Sequence, residues 1–140
     1  MSKSSNISLT VNGEDVAATV SSRTNLVDFL RGDLGLSGSH VGCEHGVCGA
    51  CTILVNGETV RGCLMLAMQA NGASVTTIEG LADSGRSAAL QAAFTARNAL
   101  QCGFCTPGML ASALSYIDAG GSADRDAIRK HLSGNYCRCT

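Results

Sequence analysis

Short stretches of alternating apolar and polar residues fill the first half of the chain, and helical spacing replaces them in the second. Ile7, Leu9 and Val11 alternate with polar neighbours, the period-2 pattern of a half-buried strand. Asn12-Gly13 then predicts a type I′ hairpin turn, with a second strand near Val16 to Val20. Thr24 or Asn25 is placed to cap a short helix through Leu26 to Leu30, with Gly32 or Gly35 ending it. Thr52 to Val55 and Glu58 to Arg61 flank Asn56-Gly57 and predict a second hairpin, and Ser74 to Ile78 reads as a last strand. The order strand, strand, helix, strand, strand, strand predicts an α+β unit in which a helix packs on a mixed sheet.

Past Asp83-Ser84-Gly85 the strand signal disappears. Ser87 to Leu100, rich in Ala, Leu and Gln, reads as a helix. Thr106-Pro107 predicts another helix start, with a hydroxyl at the N-cap and Pro at the first helical position. Met109, Leu110, Ala113, Leu114 and Ile117 continue it as an apolar stripe that Gly120-Gly121 closes. A further helix is expected from Ser122 or Asp124 to His131-Leu132, with Gly134 as its stop. The expected organisation is thus a β-rich unit over residues 1–82 and a helical unit over 83–140.

Composition removes several function classes. Apolar residues make up 45% of the chain, which predicts a packed globular protein. Ten Lys and Arg balance eleven Asp and Glu, leaving no basic footprint for nucleic acid or an anionic membrane. Only five aromatics, Phe29, Phe94, Phe104, Tyr116 and Tyr136, and no Trp argue against a base-stacking surface. The apolar runs are too short to span a membrane. No apolar signal core follows the first residues MSKSSN, and eight thiols without an export signal fit a reducing cytoplasm.

Those eight cysteines form two unlike quartets. Cys43, Cys48, Cys51 and Cys63 have the spacing C-x4-C-x2-C-x11-C, whose first three positions match the plant-type ferredoxin pattern for a [2Fe–2S] cluster. Gly42 directly precedes them and Gly46 and Gly49 lie among them, and glycine permits the positive φ and close backbone approach needed to aim N–H groups at cluster sulfur. Cys102, Cys105, Cys137 and Cys139 form C-x2-C, a long gap, then C-x-C, each pair at an expected helix terminus. Packing the helices as a bundle would bring the two pairs together. On spacing alone this second quartet fits either a cluster or a four-thiolate zinc site. A disulfide framework fits the even count but not the missing export signal. His40 and His45 lie near the first quartet, yet no Cys is missing for a His to replace. His131 is expected to complement a helix dipole, Arg138 to offset local negative charge or face solvent, and Phe104 to pack or shield.

CEHGVCGACTILVNG (Cys43 to Gly57), QCGFCTPGM (Gln101 to Met109) and GNYCRCT (Gly134 to Thr140) together resemble the small iron–sulfur subunit of the xanthine oxidase family of molybdenum hydroxylases. The resemblance covers nearly the whole chain with all eight cysteines in place. It implies an N-terminal plant-type ferredoxin-like (β-grasp) domain followed by an all-α helical-bundle [2Fe–2S]-binding domain, and a cluster in each. It also implies an electron-transfer subunit with no substrate pocket of its own. A large partner subunit would carry the molybdopterin, in its cytosine dinucleotide form, and a medium subunit the FAD. Cys102, Cys105, Cys137 and Cys139 would then lie nearest the molybdenum, and the first quartet nearer the flavin. Gln101, by itself an ordinary helix-end residue, occupies the position whose amide contacts the pterin in that family. The family usually continues past Cys-Arg-Cys-Thr with Gly-Tyr and another helix, whereas this sequence stops at Thr140. A free-standing two-cluster ferredoxin is the competing reading, and a zinc-bearing scaffold a third.

Overall fold

The computed structural model describes residues 3–139. Strands β1 (Ser4–Val11) and β2 (Glu14–Ser21) pair antiparallel in the register Ile7 opposite Ala18 and Leu9 opposite Val16. Asn12 and Gly13 between them both take positive φ, 52° and 85°, the type I′ geometry that matches strand twist. Asn56 and Gly57 repeat it, 52° and 85°, between β3 (Thr52–Val55) and β4 (Glu58–Arg61). Strand β5 (Ser74–Thr76) runs parallel to β1 and antiparallel to β3, giving the order β2-β1-β5-β3-β4. The sheet is therefore mixed, as its element order predicted.

Asn25 caps the short helix α1 (Leu26–Asp28) by accepting from the Asp28 N–H at 2.8 Å. The helix then widens into a π turn over Phe29–Asp33. Leu26, Phe29 and Leu30 are fully buried against Ile7, Leu9, Ile53 and Val75, so one face of the sheet meets one short helix. The expected strand to Ile78 ends at Thr76, and Ile78 instead opens α2 (Ile78–Asp83), a helix absent from the sequence reading. The Asn12 side chain explains the break: its oxygen accepts from the Thr77 N–H at 2.9 Å and its amide donates to the Thr77 hydroxyl at 2.9 Å. A residue held by a side chain at both groups is no longer free to continue the ladder.

Three further helices follow: α3 (Ala88–Ala96), α4 (Thr106–Asp118) and α5 (Arg125–Leu132). Helix α3 is shorter than the expected span to Leu100, because Asn98 turns at φ 50°. Thr106 is not the N-cap; Cys105 occupies that place, and the buried Thr106 hydroxyl has no hydrogen-bond partner. Of the two expected starts, Ser122 and Asp124, it is Asp124 that caps α5, accepting from the Ala127 N–H at 2.8 Å. On α4 the buried side chains include Leu110, Ala111 and Leu114, whereas Ile117 is 54% exposed. Leu54 of β3, Leu81 of α2, Ala111 and Leu114 form a second core that joins the helices to the back of the sheet. No helix among the described residues is long and apolar enough to cross a membrane.

Candidate metal centres

The loop from Ser39 to Ala50 curls around the first quartet because Glu44, Gly46 and Gly49 all take positive φ, 59°, 80° and 77°. That curvature turns backbone donors inward. The N–H groups of His45, Val47 and Cys48 reach the Cys43 sulfur at 3.4, 3.3 and 3.4 Å, and the Ala50 N–H reaches the Cys48 sulfur at 3.5 Å. A Cβ on Gly42 would stand 2.7 Å from the Cys48 sulfur, so only glycine leaves that thiol its space. The β3–β4 hairpin returns Cys63 to the loop: Cys51 and Cys63 interact directly, as do Cys43 and Cys48. Hydrogen bonds from the Cys48 and His45 N–H groups hold the Cys43 thiol down at about 6. Burial pushes the Cys51 thiol up to about 11.

The second quartet assembles at one end of the helices. Cys102 and Cys105 precede α4, and Cys137 and Cys139 follow α5. Cys102 interacts with Cys139, and Cys105 with Cys137. The Gln101 amide ties the pairs further by donating to the Cys139 carbonyl at 3.0 Å. The Phe104 N–H reaches the Cys102 sulfur at 3.5 Å and lowers that thiol's pKa, whereas burial raises Cys105 to about 11. The eight cysteines carry thiols rather than disulfides.

This donor set fits two-iron clusters. A [2Fe–2S] core asks for two thiolates at each iron and for N–H donors around its sulfurs. Each quartet presents two neighbouring pairs with amide hydrogens aimed at sulfur. The Thr106 hydroxyl, next to Cys105 in the chain, is buried without a hydrogen-bond partner. Among the described residues no three or more His, Cys, Asp or Glu side chains are arranged for a single metal ion.

Several residues take roles that sequence reasoning did not assign. The His40 ring stacks on Phe104 at 4.7 Å, and its Nδ1 lies 2.7 Å from the Phe104 carbonyl, so it must be the donor there. His131 contacts the Ser112 carbonyl at 3.0 Å and the Tyr116 ring. Asn135, buried, joins Ser112 to Gly49 and Thr52, and Arg61 reaches the Gly134 carbonyl at 2.8 Å. Asn135 lies in the GNYCRCT segment, but neither residue's role was readable locally, since they act between segments 73 and 86 positions apart. Gln101, Cys102 and Cys139 are exposed, with Phe104 at 48% and Tyr136 at 59%.

Comparison with known proteins agrees with this geometry. Residues 9–85 match the 2Fe-2S iron-sulfur cluster binding domain, and residues 77–140 the [2Fe-2S] binding domain. The chain is 56% identical over 139 residues to the caffeine dehydrogenase subunit gamma of Pseudomonas sp. (strain CBB1), covering 96% of this chain and 82% of that one. It is 50% identical over 134 residues to the nicotine 6-hydroxylase small subunit of Paenarthrobacter nicotinovorans, covering 96% and 81%. Its fold superposes on the crystal structure of quinoline 2-oxidoreductase from Pseudomonas putida 86 with a TM-score of 0.91. That match has 46% identity and covers 99% of this chain and 86% of the other.

Proposed function

Because this chain belongs to the small iron–sulfur subunits of the xanthine oxidase family of molybdenum hydroxylases, we propose that it carries electrons out of a large molybdopterin-binding subunit. The observation that carries this reading is the pair of thiol quartets built at adjoining loops, one of them open at the surface. Cys43, Cys48, Cys51 and Cys63 hold one [2Fe–2S] cluster, and Cys102, Cys105, Cys137 and Cys139 hold the other. When bound, the clusters supply one-electron acceptance and release. The chain's own work is to supply the thiolates, to stabilise added negative charge with N–H donors, and to fix the two sites relative to each other.

The N-terminal ferredoxin-like (β-grasp) domain takes residues 1–82 and the helical-bundle domain residues 83–140. Exposed Cys102, Cys139, Phe104 and Tyr136 mark the face that the large subunit covers, because a redox site needs water excluded from it. On that face Gln101 spends one N–H on Cys139. Its remaining donor and its carbonyl meet the pterin edge, which offers both kinds of partner. The first quartet faces an FAD-bearing medium subunit, and the complex works in the cytoplasm. A free-standing carrier is not favoured, because the relatives are named as subunits.

Co-expression with the large subunit tests the reading. Substrate should bleach the cluster absorbance only when that subunit carries molybdopterin. Gln101→Ala should perturb the molybdenum signal while lowering stability little, since one such hydrogen bond contributes about 0.5–1.5 kcal/mol net. A chain that purifies as a lone monomer and exchanges electrons with soluble reductases would refute it.

A further inference from the structure

The two quartets are joined by a short backbone bridge. Tyr136, which immediately precedes Cys137, donates its N–H to the carbonyl of Cys48 at 2.8 Å. From the Cys48 sulfur the path runs along that residue to its carbonyl and across one hydrogen bond. It then follows the backbone from Tyr136 into Cys137 and out to its sulfur. One hydrogen bond is thus the only non-covalent step on it.

Neither end of this bridge holds itself in place. The amide of Asn135, 7% exposed, donates to the Gly49 carbonyl at 3.0 Å and to the Thr52 hydroxyl at 3.3 Å, and its oxygen accepts from Ser112 at 2.8 Å. The amide's orientation follows from chemistry, because a carbonyl only accepts and so must face the nitrogen. Arg61 grips the Gly134 carbonyl at 2.8 Å and also the Thr52 hydroxyl. Gly134 and Asn135 come just before Tyr136, and Gly49 comes just after Cys48. The two side chains therefore clamp both flanks of the bridge. A Cβ on Gly49 would overlap the Gly134 carbonyl, so the contact is backbone on backbone.

We propose that Arg61 and Asn135 are positioning residues for electron passage between the quartets, acting by holding the Tyr136 N–H on the Cys48 carbonyl. This rests on the electron-transfer reading above. The step moves one electron: the Cys102, Cys105, Cys137 and Cys139 site is oxidised by one and the Cys43, Cys48, Cys51 and Cys63 site reduced by one. No bond or proton is exchanged, and the reductant is the substrate oxidised on the large subunit. The structure holds its own comparison. His40 and Phe104 make a second contact between the loops, but His40 lies three positions from Cys43, whereas Tyr136 adjoins Cys137.

The test uses the whole complex with Asn135→Leu, Arg61→Gln and His40→Leu. Freeze-quench EPR follows electron arrival at the first quartet after substrate is mixed, alongside the two reduction potentials and hydrogen exchange of the Tyr136 amide. Asn135→Leu and Arg61→Gln should speed Tyr136 exchange and slow arrival several-fold, with both potentials and both EPR signals kept. His40→Leu should change neither exchange nor arrival. Faster Tyr136 exchange with unchanged arrival overturns the proposal, as does unchanged exchange in both clamp variants. Loss of iron from both clamp variants overturns it too, by assigning the pair to folding alone. If substrate reduces neither site in the unmodified complex, the electron-transfer reading itself fails.

Discussion

Gly108→Ala sets two effects against each other. Alanine is the better helix former, by up to about 1 kcal/mol in a helix interior, and Gly108 is the third residue of α4. Against this, its new Cβ would overlap the Gly49 carbonyl oxygen and stand 3.2 Å from the Cα of Ala50. That carbonyl is no flexible tip, because the Asn135 amide and the Thr52 hydroxyl both donate to it, at 3.0 and 2.6 Å. Overpacking of this kind costs about 1–3 kcal/mol, occasionally more. The steric effect wins, with a net loss of about 1–2 kcal/mol and a fall in melting temperature on the order of 5 °C. Gly32→Ala provides the control. Gly32 is an exposed residue of the π turn, with no heavy atom within 4 Å of its Cβ position. It should gain about 0.4–1 kcal/mol through a less flexible unfolded chain. Thermal melting of the cluster-loaded chain, read by circular dichroism and iron release together, compares the two. If Gly108→Ala melts no lower than the unmodified protein, the close seating of α4 on the cysteine loop is wrong.

Asp124→Ala should remove the N-cap of α5 and cost about 1 kcal/mol in a urea titration, with Asp124→Asn recovering most of it. Glu79 gives a pH-dependent outcome. Burial alone would raise its pKa, but hydrogen bonds from the Thr77 hydroxyl, its own helix N–H and the Gly38 N–H lower it overall. With the folded pKa depressed, the unfolded state takes up the proton first as pH falls. Its stabilisation is therefore complete above the ordinary carboxylate range and lost below it. Glu79→Gln should melt lower than the unmodified chain at neutral pH and lose that difference in acid. Cys48→Ser should abolish one EPR signal while substrate still reduces the other cluster, and Cys105→Ser should abolish the other signal and loosen assembly. Equal loss of both signals in each variant would show that the sites are not independent.

The β hairpins were legible because Asn-Gly pairs and alternating apolar residues act locally, and both turns took the expected backbone angles. The α5 cap at Asp124 was readable for the same reason. Helix α2 was not, because the Asn12 side chain ends β5 from 65 positions away. Thr106 looked like a cap by residue type, yet Cys105 takes that place and leaves the hydroxyl buried. The cysteine spacing pointed to both candidate centres, and the structure brings each quartet together. The Arg61–Asn135 clamp was not readable, although Asn135 lies in the GNYCRCT segment, since its meaning lies in backbone carbonyls that only the packed chain brings near.

The central claim, that this chain holds two [2Fe–2S] clusters in series, is tested most directly by metal analysis with EPR on the purified complex. Two cores require about four iron and four acid-labile sulfide per chain. Stepwise reduction should develop two distinct signals, because a β-domain loop and a helix-end turn give sulfur different hydrogen bonds. Stoichiometric zinc with about two iron and a single signal would contradict the account at the second quartet.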